Sequence, residues 1–376
     1  MNSIGIYVHF PFCVSKCKYC DFVSYTDKNN LQREYLQALI NEINSYKDSK
    51  IIVDTIYIGG GTPSFMFDGC ISTLISEIRK SFVVDIDAEI SIECNPNSVT
   101  LKKAREWKEA GINRVSIGLQ TTSARLLKLI GRTHSKNDYL KAINIIKDAG
   151  ITNINTDCLI GLPRQKLSHV KHTLNTIVKQ NCTHVSVYSL ILEENTPLFE
   201  MVHSGELKLP KEEKTIGMFN YALKFLTENG YDRYEVSNFA KRGFECKHNI
   251  NNWAMHEYLG FGAAAHGYFQ GYRYNNFRQI EEYIKGINTN KTAVESKEKI
   301  TNTQKFEETI MLGLRTKKGI DLDEIKQNFK VDLLKSKKDL INDLLSQGYI
   351  NLVYNRINLT NSGFEILNKI ILDLVS

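Results

Sequence analysis

The stretch YVHFPFCVSKCKYCDF, residues 7–22, sets three cysteines within eight positions, Cys13, Cys17 and Cys20, and follows them with Phe22. The run IGIYVHF at 4–10 reads as a strand, so the cysteines fall on the loop leaving its C-terminal end. Outward from there, short β-branched and aromatic runs recur with amphipathic helical stretches between them. They are DTIYIGG at 54–60, EISIECN at 89–95, RVSIGLQ at 114–120, NINTDCLIG at 153–161 and HVSVYSL at 184–190. An alternation of this kind, about 30 to 40 residues per unit, predicts parallel strands joined by crossover helices. Six units predict an α/β fold with a partial (β/α)6 barrel.

In a parallel barrel the working residues lie at the C-terminal ends of the strands and in the loops that follow. Those ends carry the three cysteines, then Gly59, Gly60, Gly61 and Thr62, then Glu93 and Asn95, then Gln120, then Asp157. Each alone is as readily a turn glycine or a capping carboxylate. Five polar ends in succession predict a single functional rim.

After LEENTPLFE, residues 192–200, the pattern changes to helices and a glycine- and aromatic-rich stretch from Glu235 to Tyr274. From about residue 300 it reads helix, helix, helix, a hairpin GYINLVYNRINLT at 348–360 and a closing helix, which predicts a C-terminal helical, winged-helix-like domain. The expected division is 1–200 for the barrel, 201–295 for an extension of it and 296–376 for the last domain. No arginine cluster marks a recognition helix, so a packing or partner-docking module is favoured over DNA binding.

Composition narrows the class further. With 42% hydrophobic and 24% charged residues and only 6 prolines, the chain is an ordinary globular one. The net charge of +6, from 48 Lys and Arg against 42 Asp and Glu, is spread along the chain and is weak support for a nucleic-acid partner. The run DLLKSKKDL, residues 332–340, reads as a solvated helix face. No basic and apolar leader is read at the start, and no run of 18 apolar residues occurs, so a cytoplasmic protein without a membrane span is expected. In that compartment, clustered cysteines mean metal or catalysis rather than disulfides.

The paired CxxC motifs of structural zinc are absent. A C-x3-C-x2-C spacing suits three irons of a 4Fe-4S cluster, leaving the fourth iron open to an outside ligand. The isolated Cys70, Cys94, Cys158, Cys182 and Cys246 read as buried small hydrophobes. In IYIGGGTPSF the glycines at a strand end let backbone approach a ligand closely, and with no GK(S/T) following, it is not a phosphate loop.

This spacing after the first strand of a β/α barrel resembles the radical S-adenosylmethionine superfamily. YVHFPFCVSKCKYCDF, GGGTPS, ECNPNS, VSIGLQ, IGRTH, DCLIGLP and EYLGFGAAAHGY, in that order, narrow the resemblance to the coproporphyrinogen dehydrogenase-like group. That group contains the oxygen-independent coproporphyrinogen III oxidase and a heme-chaperone branch. The resemblance implies cluster ligation by Cys13, Cys17 and Cys20, and contact with S-adenosylmethionine from Tyr7, Gly60, Gly61, Thr62 and Glu93. Tyr19, Gln120, Arg132 and Asp157 match positions that line a second cofactor site in the oxidase.

Two departures from the oxidase pattern favour the chaperone branch: Phe22 stands where the oxidase has a fourth cysteine, and only twelve residues precede Cys13. CKHNINNW, residues 246–253, is similar to the chaperone's HNxxYW motif, whose histidine is associated with heme, with Asn252 in the tyrosine position. His248 is therefore the implied heme contact, a hydrogen-bonded structural histidine being the alternative, and Cys246, His256 and His266 rank lower. The implied function is a heme chaperone that binds the cluster, S-adenosylmethionine and heme and passes heme to an acceptor such as a membrane respiratory enzyme. Its rivals are oxidative decarboxylation of coproporphyrinogen III and radical modification of RNA.

Overall fold

A computed structural model describes residues 3–47 and 49–376. The six runs all form strands: Ile4–Phe10 (β1), Ile52–Gly60 (β2), Val83–Cys94 (β3), Arg114–Gln120 (β4), Asn153–Ile160 (β5) and His184–Ser189 (β6). Each pairs in parallel with the next. Along them, period two divides the residues between two faces. Ile56, Ile58, Ile90, Ile92, Val115, Ile117 and Ile154 pack outward on helical residues such as Leu39, Leu74, Trp107, Ile143 and Leu174. The alternate positions face the barrel interior and are polar: Thr55 and Tyr57, Glu89 and Glu93, Arg114 and Ser116, Asn155 and Asp157, His184 and Ser186.

The crossover helices are bounded by local signals. Leu101–Ala110 starts at Thr100, whose hydroxyl accepts the Lys103 N–H, and stops at Gly111 in the left-handed region. Lys136–Asp148 begins with a capping box between Ser135 and Asp138.

Further strands widen the sheet at both edges. Asp232–Arg233 (β7) and Asn238–Ala240 (β8) continue antiparallel beyond β6. Tyr258–Phe261 (β9) lies parallel to β1, followed antiparallel by His266–Phe269 (β10), Tyr272–Asn276 (β11) and Val294–Lys299 (β12). The glycine- and aromatic-rich stretch thus supplies the strand that flanks β1. The helix Lys247–Trp253 closes the bottom of the barrel, Glu89 accepting hydrogen bonds from the backbone of Lys247 at 3.1 Å and His248 at 3.2 Å.

A second core, which includes Ile310, Leu314, Ile341, Ile357 and Ile370, belongs to the C-terminal elements. There Ile320–Asp321 (β13), Ile350–Val353 (β14) and Arg356–Leu359 (β15) form a small antiparallel sheet in the order β13-β15-β14 among short helices, a winged-helix-like arrangement. No helix among the described residues is long and apolar enough to cross a membrane.

Glu42 joins the first helix, Gln32–Asn44, to the β9–β11 edge. Its carboxylate accepts the Gly262 N–H at 2.9 Å, the Asn276 amide at 2.7 Å and the Tyr283 hydroxyl at 2.6 Å. Burial nevertheless pushes its pKa up to about 7. The folded chain therefore holds a proton that the unfolded chain releases at lower pH. This group's contribution to stability is fully present below pH 4.5 and is lost as pH rises through about 7, by up to about 3 kcal/mol. We expect Glu42→Gln to flatten the fall in melting temperature between pH 5 and 8, and an unchanged slope would show that Glu42 is not its source.

Candidate functional site

The cysteine loop leaves β1 and is closed at its base by backbone pairing: Cys13 N–H donates to Tyr25 O at 3.0 Å, and Tyr25 N–H to Pro11 O at 2.8 Å. Against this base lies the glycine-rich end of β2. Gly61 N–H donates to Phe10 O at 2.8 Å and Thr62 N–H to Phe12 O at 2.9 Å. A Cβ on Gly61 would lie 2.8 Å from Phe12 O, and one on Gly60, whose φ is +108°, would lie 2.7 Å from the His9 ring. Two β-carbons are thus excluded at the join of cysteine loop and barrel.

His9 supports the loop from below. Its Nε2 bonds to Val23 O at 2.8 Å and its Nδ1 to the Tyr7 hydroxyl at 3.0 Å. Burial lowers its pKa to about 4, so the ring is neutral, and these partners fit an Nε2–H donor with Nδ1 accepting from tyrosine.

Above the polar interior lies a cavity of about 510 Å³. Its wall brings together Cys13, Cys17, Cys20, Tyr19, Gly60, Gly61, Thr62, Glu93, Gln120 and Asp157 from the loop and the strands β2 to β5, and Arg132 from the turn after the helix Ala124–Leu129. The thiols line one side rather than closing on a point: among the described residues, no group of three or more His, Cys, Asp and Glu is placed to hold a single metal ion. Thr62 Oγ1 is 3.4 Å from Cys13 Sγ, and Arg132 donates to Cys17 Sγ at 3.5 Å and to Gly118 O. Burial pushes the Cys20 thiol up to about 11 and raises that of Cys13. Ligation as thiolate must therefore displace protons.

Glu93 accepts the Tyr57 hydroxyl at 2.9 Å and the Gly60 N–H at 3.2 Å, and burial raises its pKa to about 7. Asp157 accepts from the Asn155 amide at 2.7 Å and from Ser116 at 3.3 Å, and burial raises its pKa. Gln120 enters the wall because its backbone turns left-handed, φ +65°, where the β4–β5 register shifts. Arg114 is a wall residue that motif reading passed over, as it opens β4 rather than ending it. Its position on the inward face was the available signal. The Nε atoms of Arg114 and Arg132 are buried without a hydrogen-bond partner. A wide cavity with three thiols and Arg132 along one side and a second guanidinium, Arg114, in its wall fits an iron-sulfur cluster together with a ligand bearing a carboxylate.

Two expected contacts lie elsewhere. Tyr7 is not in this wall; its hydroxyl is taken by His9, and its ring stacks at 6.4 Å on Tyr57. His248 is 3% exposed and lines neither this cavity nor its neighbour. Its Nδ1 bonds to Thr55 Oγ1 at 3.0 Å and its ring stacks on Tyr57 at 5.3 Å, while burial lowers its pKa to about 3. In this conformation the ring is an interior strut, the structural alternative to the expected heme contact, because the residue just inside the helix Lys247–Trp253 is turned toward β2. The isolated cysteines are buried as expected, although Cys246 donates to Glu89 at 3.4 Å and Cys182 accepts from Thr156 at 3.4 Å. Phe22 is 70% exposed at the cavity mouth.

Residues 7–177 match the Radical SAM superfamily and residues 300–366 the HemN C-terminal domain. The chain is 36% identical to the "Heme chaperone HemW" of Lactococcus lactis subsp. lactis (strain IL1403) over 367 residues, 97% of this chain and 95% of the relative. It is 35% identical to the protein of that name from Bacillus subtilis (strain 168) over 367 residues, 97% of each. Among solved structures, the coproporphyrinogen III oxidase (HemN) from Escherichia coli, a radical SAM enzyme, superposes with a TM-score of 0.86 at 22% identity. The match covers 100% of this chain and 90% of that one, a likeness of fold. End-to-end identity above 30% with these relatives means that the chain belongs to the HemW family of radical SAM proteins.

Proposed function

We propose that the chain is a heme chaperone that holds a 4Fe-4S cluster on Cys13, Cys17 and Cys20, binds S-adenosylmethionine in the same cavity, and carries heme to an acceptor protein. The observation that carries this reading is similarity to heme chaperones along 97% of the chain, with the three thiols gathered in one cavity wall. When bound, the cluster would supply one-electron reduction at its open iron.

The chain's own residues prepare the place. Arg132 sets positive charge beside the Cys17 sulfur, and Thr62 offers a hydroxyl to Cys13. Gly60 and Gly61 keep the adjoining wall free of side chains, and Tyr57 and Gly60 fix both oxygens of Glu93. Tyr19, Gln120 and Asp157 line the remainder. The acceptor in this reading is a heme-dependent protein such as a membrane respiratory enzyme, met in the cytoplasm, and residues 1–200, 201–295 and 296–376 divide into barrel, extension and C-terminal module.

Two outcomes are expected. Cys17→Ala should reduce reconstituted iron from about four per chain to near zero while circular dichroism is unchanged; full iron retention would remove Cys17 as a ligand. Anaerobically reconstituted protein should bind hemin at one per chain and, given coproporphyrinogen III, S-adenosylmethionine and a reductant, yield no decarboxylated product. Formation of that product would replace the chaperone reading with the oxidase one.

A further inference from the structure

A second cavity, of about 480 Å³, opens where the barrel extension meets the C-terminal helix Asn302–Gly313. Its apolar walls come from Trp253, Tyr258, Tyr268 and Leu312, and Met255 and His256 enter it from the turn after the helix Lys247–Trp253. That turn has an identifiable construction. His256 N–H bonds back to Asn251 O at 2.9 Å and Met255 takes a left-handed φ of +55°, so the chain reverses out of the helix. His256 is exposed, and its imidazole makes no hydrogen bond to another described residue. The Met255 sulfur, by contrast, is engaged by the Thr309 hydroxyl at 3.5 Å.

We infer that heme is seated in this second cavity with the His256 imidazole as its axial ligand, and that His248 is a positioning residue for that site. The inference rests on the heme-binding reading given above. A porphyrin is a flat apolar disc with an anionic edge, and neutral imidazole is a common axial ligand of its iron. The cavity offers aromatic faces for the disc, and at its margin Arg273, 40% exposed although paired with Glu308 at 2.7 Å, offers a cation for the propionates.

The positioning role follows from the contacts of the closing helix. His248 holds its first turn to Thr55 and Tyr57, and Glu89 accepts the first two backbone N–H groups. Those contacts fix the direction in which the last turn delivers Trp253 and then His256. A sequence motif containing both a histidine and a tryptophan here is accounted for by one residue that anchors the helix and another that faces the ligand.

The test is hemin titration of the full-length, cluster-containing protein, read by the Soret band and by the electron paramagnetic resonance of imidazole-ligated ferric heme, with iron-sulfur content measured in the same samples. His256→Ala should weaken hemin binding at least tenfold and lose the imidazole signature, with added imidazole restoring it. Leu312→Trp, which fills the cavity while keeping both histidines in the sequence, should weaken binding comparably at unchanged cluster content. His248→Ala should retain the signature, with at most a partial loss of affinity. Unaltered binding by His256→Ala or by Leu312→Trp would overturn the assignment, as would loss of the signature in His248→Ala at normal cluster content. Failure of the unaltered protein to bind hemin would instead remove the chaperone reading on which the assignment rests.

Discussion

The candidate cluster loop depends on a close backbone join between the ends of β1 and β2. Two hydrogen bonds, from Gly61 to Phe10 and from Thr62 to Phe12, bring the cysteine loop against the glycine turn. Since a Cβ at Gly61 would lie 2.8 Å from a carbonyl oxygen, the join is available only to glycine. Everything above it is placed by it: Cys13 follows Phe12 directly, Thr62 reaches the Cys13 sulfur, and Gly60 gives its N–H to Glu93.

Beneath that join the barrel interior is built against the usual preference for apolar cores. Buried polar groups cost free energy unless they are paired, and the interior pairs most of its own. Asn155 gives its amide to Ser116 at 2.8 Å and accepts from His184, which in turn bonds to Tyr234 at 2.9 Å. Pairing stops at the Ser91 hydroxyl and at the Nε atoms of Arg114 and Arg132, which are buried without a partner. Most of the buried polar interior is therefore held by a paired network that fixes the strands against one another.

The strands and the cysteine loop were legible in the sequence because period two and a fixed thiol spacing are local properties. All six strand runs lie where the alternation put them, and the strand-end residues expected at the rim from Cys13 to Asp157 line the cavity, Gly59 excepted. The widened sheet was not legible in the same way: β8 and β9 are short, and each pairs with a strand far from it in sequence. The burial of His248 was not legible for a related reason. A motif states which residue types recur at which spacing, but whether a helix points its first turn inward or outward depends on Thr55, Tyr57 and Glu89, roughly 160 to 190 positions away in the chain.

Under the proposed function, the burial of His248 and the openness of the neighbouring cavity bear differently on the release of heme. A carrier's usefulness is set by how readily it releases as much as by how tightly it binds, and differences in affinity between related complexes lie mostly in the dissociation rate. Ligation at His248 would require breaking the bond to Thr55 and the stack on Tyr57, and with them the support under Glu93, so that loading heme would disturb the cluster cavity. Ligation at His256 leaves those contacts intact. Tyr188 and Asn249 line both cavities, so the two sites share a wall without sharing the groups that hold them. In the proposed arrangement heme would arrive and leave at the open side while the cysteine loop keeps its glycine join, so that cargo and cofactor are held by separate groups.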